Sequence, residues 1–193
     1  MERRELLKMI ALLTGGAIIG GNALLIGCSS DKGKQGSAIA FSQKDREFLN
    51  EVADTILPAT QSPGAKAANV GTWMTVMVRD CYSATDQQIF YKGIGKLNDA
   101  CKKMYNLGFM DANPQQKLAL LEALDKEAKA YQLKRNNQKE ADLPGHYFTM
   151  MKQLTLLGYF TSEIGCTKAQ RYIAVPGRYE GDVPYQKGDK SWA

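Results

Sequence analysis

Four cysteines and one histidine are the residues in this chain with the most distinctive chemistry. The cysteines are Cys28, Cys81, Cys101 and Cys166, and the histidine is His146. No two cysteines have the CxxCH spacing that attaches haem or the spacing of a zinc finger, so no metal site is expected. A catalytic triad would have to use His146, yet no nucleophile motif lies near it. The sequence therefore predicts no catalytic residue, no cofactor-binding residue and no metal ligand in this chain.

Cys28 stands at the end of an apolar run, in the setting of a lipidated cysteine. The uncharged run from Met9 to Gly27 ends in Leu25-Ile26-Gly27-Cys28, which is similar to a bacterial lipobox. A small residue before the thiol lets a peptidase cut there, and the sulfur carries a diacylglycerol. Acyl chains contribute about 0.8 kcal/mol per buried methylene, so several of them form a stable membrane anchor. The alternative is that a cysteine stands at the end of the apolar run by chance. The polar tether that follows directly argues against this alternative.

The charged start of the chain predicts its export route. Arg3 and Arg4 are paired, Lys8 follows them, and the apolar run that comes next contains several glycines. Paired arginines before a weakly apolar run are typical of a twin-arginine signal. A general secretory signal that happens to begin with two arginines is the alternative. We predict an export signal over 1–27, a flexible tether over 28–41 and a membrane-anchored lipoprotein of the bacterial envelope that faces the periplasm.

Cys81 and Cys101 are candidates for a disulfide. Helical patterns place them near the facing ends of adjacent helices, and disulfides persist in the oxidising compartment that an exported protein reaches. Two buried reduced thiols fit the sequence equally well. Gly93 and Gly95 interrupt the helical pattern between the two cysteines and are expected to permit close packing or a bend.

The sequence after the tether predicts a helical domain. Apolar residues recur at helical spacing, whereas the alternating pattern of strands is nearly absent. Ser42 with Asp45, and Asn113 with Pro114, mark helix starts. We predict an all-α fold, a compact single-domain bundle of about five to seven helices over 42–175, followed by an irregular C-terminal arm over 176–193. The net charge of +5 is dispersed, with no basic stripe, so no nucleic-acid partner is expected.

The stretch from Leu154 to Gly165 is the most apolar and aromatic run outside the N-terminus. Four of its residues recur at helical spacing and are expected to pack inward, namely Leu154, Leu157, Phe160 and Ile164. The pattern breaks at Gly158. Leu156, Gly158 and Tyr159 lie beside the inward face, and we predict that they contact a partner chain.

Several phrases of the sequence together resemble one family. They are Ala53-Asp54-Thr55-Ile56-Leu57-Pro58-Ala59-Thr60, Arg79-Asp80-Cys81-Tyr82, the Leu154–Gly165 stretch, and Arg171-Tyr172 with Val175-Pro176-Gly177. In this order they are similar to the gluconate 2-dehydrogenase subunit 3 family. The resemblance implies a non-catalytic small subunit of a membrane-associated sugar or polyol dehydrogenase. It also implies two kinds of partner, an FAD-dependent large subunit of the glucose-methanol-choline type and, in many such complexes, a cytochrome c subunit.

The resemblance implies a role in export as well. A flavoprotein that binds FAD before export needs a route for folded proteins, and a second chain that carries the signal supplies it. We therefore expect this chain to escort, stabilise and anchor the dehydrogenase, with FAD in the partner and no cofactor in this chain. The alternative function is a stand-alone envelope lipoprotein that binds a small ligand or an envelope component.

Overall fold

A computed structural model describes residues 39–137, 144–175 and 177–193. In these ranges five α-helices and one π-helix follow one another without a strand: α1 (Gln43–Ile56), α2 (Val70–Cys81), α3 (Ala84–Tyr105), α4 (Pro114–Asn137), α5 (Tyr147–Phe160) and the π-helix Gly165–Ala169. The predicted all-α class is confirmed. None of these helices is both long and apolar enough to cross a membrane. The predicted export signal and lipidation site, with Arg3, Arg4, Lys8 and Cys28, lie outside the described residues.

Side-chain caps set the starts of α1 and α4. Ser42 Oγ accepts a hydrogen bond from the Asp45 N–H, and the Asp45 carboxylate accepts one from the Ser42 N–H at 2.8 Å. Asn113 Oδ1 accepts from the Gln116 N–H at 2.9 Å, and Gln116 Oε1 accepts from the Asn113 N–H at 3.0 Å. These bonds satisfy amides that the first helical turn leaves without a partner. Both predicted helix starts are confirmed.

The helix α5 is the centre of the bundle. It contacts all four other α-helices and the π-helix that follows it. Its buried residues are Tyr147, Phe148, Met150, Met151, Leu154, Thr155, Gly158 and Tyr159. Each large apolar side chain among them contributes about 1.5–3 kcal/mol by its removal from water. The helix continues through Gly158 without the break that the sequence pattern indicates.

The helix α3 also runs unbroken, past Gly93 and Gly95. Gly93 is buried, and a Cβ atom there would lie 2.6 Å from the Tyr147 Cβ, so its absence lets α3 approach α5. A Cβ on Gly95 would meet nothing within 4 Å. The expected close packing therefore occurs at Gly93 alone.

The arrangement that favours a disulfide between Cys81 and Cys101 does not occur. Cys81 is the last residue of α2 and is exposed, whereas Cys101 lies near the far end of α3 and is buried. Because α3 is continuous, the stretch from Ala84 to Cys101 spans about 25 Å. Bridged cysteines have Cα atoms within about 7 Å of each other. Both thiols are free in the structure, and burial raises the pKa of Cys101.

An ion pair joins α4 to α1. Lys117 Nζ lies 2.8 Å from Glu51 Oε1, and Lys66 Nζ lies 2.9 Å from Glu51 Oε2. The Lys117 side chain is only 10% exposed, so the carboxylate offsets the loss of hydration of a nearly buried ammonium. The hydrogen bond from Lys117, followed by the one from Lys66, holds the pKa of Glu51 below its usual value.

Candidate partner-docking surface

The last two turns of α5 expose apolar side chains. Leu156, Leu157 and Phe160 are 39%, 50% and 39% exposed. Their spacing of three and four residues puts Leu157 and Phe160 on one side of the helix, with Leu156 beside them. We call these three residues the α5 outer face. Contiguous apolar surface of this kind is a feature of protein interaction sites.

The inward and outward positions predicted from the sequence for Leu154 to Gly165 are wrong at four residues. Leu157 and Phe160, which the pattern places inward, are exposed, and Gly158 and Tyr159, which it places toward a partner, are buried. Leu156 is exposed, as expected. Of the three residues predicted to contact a partner, only Leu156 is therefore accessible to one.

Trp73 of α2 explains the inward position of Gly158. A Cβ atom on Gly158 would lie 2.6 Å from Trp73 Cε3 and 3.1 Å from Val70 Cγ1. The missing side chain leaves the space into which α2 packs. Because the side of α5 that carries Gly158 is held against α2, the neighbouring Leu157 is left facing water.

Tyr159 is fixed inside the domain by contacts of its hydroxyl group and of its ring. The residue is 4% exposed, and its hydroxyl donates a hydrogen bond to the carbonyl oxygen of Pro63, in the loop between α1 and α2. Its ring lies 5.2 Å from the Phe160 ring in a T-shaped arrangement. A buried tyrosine needs a partner for its hydroxyl, and Pro63 provides one. Tyr159 therefore links α5 to a loop instead of contacting another chain.

Hydrogen bonds to the last carbonyls of α5 fix the backbone that follows. The Ser162 N–H and Oγ both donate to the Tyr159 carbonyl, at 3.1 and 2.6 Å, and Cys166 Sγ lies 3.2 Å from the Phe160 carbonyl. Gly165 packs so closely on the Tyr159 carbonyl that a Cβ atom would collide with it. The π-helix Gly165–Ala169 thus leaves α5 in a fixed direction.

In the structure the C-terminal arm begins at Arg171, shortly after the π-helix, and its end folds back onto its start. The Arg171 N–H donates to the Ser191 carbonyl at 2.8 Å, and the Ala193 N–H donates to the Arg171 carbonyl at 2.9 Å. The Arg171 guanidinium lies 4.7 Å from the centre of the Trp192 ring, a cation–π contact. We call these contacts the arm latch. They join the two ends of the arm.

The arm exposes large apolar and aromatic side chains. These are Tyr172, Ile173, Val175, Tyr179, Val183 and Tyr185, with Trp192 at the latch. Tyr179 and Tyr185 are the most open of the aromatic ones, at 94% and 76% exposed. The described part of the arm therefore presents a second set of exposed apolar side chains, in addition to the α5 outer face.

His146 has a structural role at the start of α5. Its Nδ1 accepts a hydrogen bond from the Phe148 N–H at 3.3 Å, and its Nε2 lies 3.7 Å from Glu127 Oε1. Burial lowers the pKa of His146, which outweighs the opposing effect of Glu127. The imidazole is thus neutral at neutral pH and caps the helix. Its partners are a backbone amide and a carboxylate instead of a serine or cysteine nucleophile.

Two open grooves lie on the surface of the domain. One runs between α1 and α3 and is lined in part by Lys44, Glu47 and Lys102. The other passes His146 and Tyr131, between α3, α4 and the start of α5. Both grooves are open to solvent. Among the residues that the structure describes, no group of three histidine, cysteine or acidic side chains could hold a metal ion.

Comparison with known proteins identifies the family. A family model described as gluconate 2-dehydrogenase subunit 3 matches residues 43–177, which include all five α-helices, the α5 outer face and the start of the arm. Neither the curated proteins nor the solved structures include a match to the chain. The family resemblance drawn from the sequence phrases is confirmed. The chain therefore belongs to the gluconate 2-dehydrogenase subunit 3 family.

Proposed function

We propose that this chain is a non-catalytic small subunit that escorts a dehydrogenase through export, stabilises it and anchors it to the membrane. The dehydrogenase is an FAD-dependent sugar or polyol dehydrogenase of the glucose-methanol-choline type. Family membership supports the coarser part of this proposal, an accessory subunit of a dehydrogenase complex. The α5 outer face is the structural observation that supports binding to another subunit, because the central helix of the bundle leaves Leu156, Leu157 and Phe160 uncovered.

The chemistry belongs to the large subunit in this proposal. The described residues form no strand, so they offer no strand–turn–helix element of the kind that binds a dinucleotide pyrophosphate. The histidine of this chain caps a helix. We propose that FAD is bound by the partner and that electrons leave its flavin for a separate acceptor, which we take to be a cytochrome c subunit. This chain contributes apolar contact surface and membrane attachment.

The N-terminal sequence supports the escort and anchoring roles. Arg3, Arg4 and Lys8 match a twin-arginine signal, and that route exports folded proteins. Cys28 is the proposed lipidation site, and its acyl chains would hold the complex at the membrane on the periplasmic side. A single chain with both features delivers a folded flavoprotein and then retains it.

Purification of the tagged full-length chain from solubilised membranes of its own host tests this function. We expect a flavoprotein to co-purify, seen by flavin absorbance, with sugar-dependent reduction of an artificial electron acceptor. Deletion of this chain should abolish the membrane-bound activity. If no flavoprotein co-purifies and the activity survives the deletion, the proposal is wrong.

A matched variant separates anchoring from assembly. The wild-type chain should incorporate a labelled fatty acid, and Cys28→Ala should abolish the labelling while the flavoprotein still co-purifies. A wild-type chain that carries no fatty acid would contradict lipid anchoring while leaving the subunit role intact.

A further inference from the structure

We infer that the C-terminal arm is a second docking element, which binds the catalytic dehydrogenase subunit together with the α5 outer face. This inference rests on the proposed function, because it takes the dehydrogenase subunit as the occupant. It assigns a partner contact to Tyr179 and Tyr185, which lie beyond the residues that match the family model.

The α5 outer face alone is too small for a stable interface. Its three side chains are between 39% and 50% exposed. If a large apolar side chain presents about 200 Å², the face offers roughly 250 Å². A standard protein interface buries about 800 Å² on each partner. A stable complex therefore needs further surface from this chain.

The arm offers the missing area. Tyr172, Tyr179, Tyr185 and Trp192 are 55%, 94%, 76% and 51% exposed, which corresponds to roughly 600 Å² of aromatic surface. Together with the α5 outer face, the arm reaches the area of a standard interface. Tyrosine and tryptophan are also the side chains that most often dominate binding energy at protein interfaces.

The arm contributes little to the fold of its own chain. Every described residue from 172 to 193 is exposed. At the latch, Gln170 Oε1 and Arg171 Nε are buried without a hydrogen-bond partner, which is unfavourable. The latch contacts join the two ends of the arm but leave its aromatic side chains exposed. A partner that covers its aromatic side chains would stabilise it.

Chain connectivity places the arm and the α5 outer face within reach of one partner. The π-helix between Phe160 and Arg171 is tied to the end of α5 by Ser162 and Gly165. The combined area is reached only if one surface covers both elements. The family is that of a dehydrogenase subunit, so we assign this surface to the dehydrogenase and not to a second copy of the chain.

Serine substitutions in the arm test the inference in the full complex. Tyr179→Ser with Tyr185→Ser should weaken binding of the flavoprotein at least about tenfold, because truncated interface tyrosines have effects of this size. Leu133→Ser, at a 63% exposed apolar position on α4, is the control and should leave binding unchanged. Trp192→Ala, which removes the cation–π contact of the latch, should weaken binding to a smaller extent. The readouts are the ratio of flavin to chain in the purified complex and the dissociation constant.

The outcomes separate this inference from the proposed function. If the wild-type chain and the double serine variant retain the flavoprotein equally, the arm has no docking role and the proposed function stands. If the wild-type chain retains no flavoprotein, both are overturned. If light scattering shows a wild-type homodimer that the double variant dissociates, the arm binds a second copy and the inference is overturned.

Discussion

Leu157 and Tyr159 lie two residues apart on α5 and face opposite sides of the helix. Leu157 is 50% exposed, whereas Tyr159 is 4% exposed and donates its hydroxyl hydrogen bond to the Pro63 carbonyl. The first residue is therefore available to another chain, and the second holds the domain together. Substitutions at the two positions should accordingly affect different measurements, one binding and the other stability.

The first prediction concerns the α5 outer face. Leu157→Asp should weaken binding of the dehydrogenase subunit about tenfold or more, because it places a charge in an apolar contact. Leu118→Asp on α4 is the matched control, since Leu118 is also 50% exposed. Titration of each chain against the flavoprotein measures the effect, and circular dichroism checks that both variants are folded. Equal loss of binding in the two variants would contradict a docking role for the α5 outer face.

The second prediction concerns Gly93 and Gly95, which both lie on α3. Gly93→Ala should destabilise the purified chain by about 1–3 kcal/mol, because the added methyl group collides with Tyr147. Gly95→Ala should be neutral or stabilising by about 0.5–1 kcal/mol, because the site is open and alanine favours a helix. Denaturant unfolding measures both values. The same sign for the two changes would contradict the close contact of α3 with α5.

The third prediction concerns the ion pair between α4 and α1. Glu51→Gln should lower the free energy of unfolding at neutral pH by about 1–3 kcal/mol, because it leaves the nearly buried Lys117 ammonium without its carboxylate. Asp99→Asn removes an exposed partner of Lys102 and should change stability by less than about 0.5 kcal/mol. Chemical unfolding of both variants provides the comparison.

Lowering the pH should remove the stabilisation that the ionised Glu51 carboxylate provides. The pKa of Glu51 is 4.5 when unperturbed and is lower in the folded chain. The contribution is therefore fully present above pH 4.5 and is lost as the pH falls toward the folded value. The difference in stability between wild type and Glu51→Gln should shrink over that interval. A difference that is independent of pH would exclude ionised Glu51 as its source.

The fourth prediction concerns His146, which has a pKa of 6.5 when unperturbed and a lower one when folded. Its stabilising effect is present above pH 6.5 and declines below it, because the unfolded chain takes up the proton first. Protonation also removes the acceptor that Nδ1 offers to Phe148. Glu127, Lys96, Tyr131 and Tyr147 are ionisable groups that face it.

Asparagine at this position should preserve the cap without titrating. His146→Asn should thus show a flatter stability profile between pH 6.5 and 5 than the wild type, since asparagine is a favourable N-cap residue. The complex should also retain its dehydrogenase activity. Loss of turnover with unchanged assembly would instead assign His146 a part in catalysis.

The fifth prediction concerns export. Replacement of both Arg3 and Arg4 by Lys should trap this chain and its dehydrogenase partner in the cytoplasm, because the twin-arginine route requires the paired arginines. Cell fractionation with antibodies to both subunits measures the result. Lys8→Arg, which keeps the charge and the arginine pair, serves as the control. If both subunits of the double variant still reach the envelope, the signal belongs to the general secretory route.

Local patterns were enough to predict the helices and several of their starts. The caps at Ser42 and Asn113 use side chains three residues apart, so the sequence displays them directly. The disulfide hypothesis failed at a longer range. It placed Cys81 and Cys101 near the facing ends of adjacent helices, whereas α3 is continuous and separates the two cysteines.

The periodicity of the sequence could not predict which side of α5 is buried and which is exposed. From Leu154 to Phe160 the helix is apolar on almost every side, so several inward stripes fit the pattern equally well. The deciding contacts come from distant residues, Trp73 over Gly158 and Pro63 bonded to Tyr159. One sequence signal was available. A glycine inside an apolar helix often marks the close approach of another element, which would have placed Gly158 inward.

The arm shows a similar limit. Its glycines and prolines predict irregular backbone, but the latch pairs Arg171 with residues about twenty positions later through main-chain bonds and a ring contact. No local pattern marks such a closure. The sequence does not indicate which aromatic side chains of the arm are left unpacked, whereas the structure shows that they are exposed.

The fixed junction between α5 and the arm has a consequence for the choice of partner. Because Ser162 donates a hydrogen bond to the Tyr159 carbonyl and Gly165 packs against it, the backbone fixes where the arm begins relative to the α5 outer face. Binding at one contact then raises the effective concentration of the other, but only for a subunit whose matching sites have the same separation. A related dehydrogenase with the right chemistry at the wrong spacing gains a single contact and dissociates quickly. Cognate and non-cognate subunits would thus be sorted by spacing as well as by chemistry.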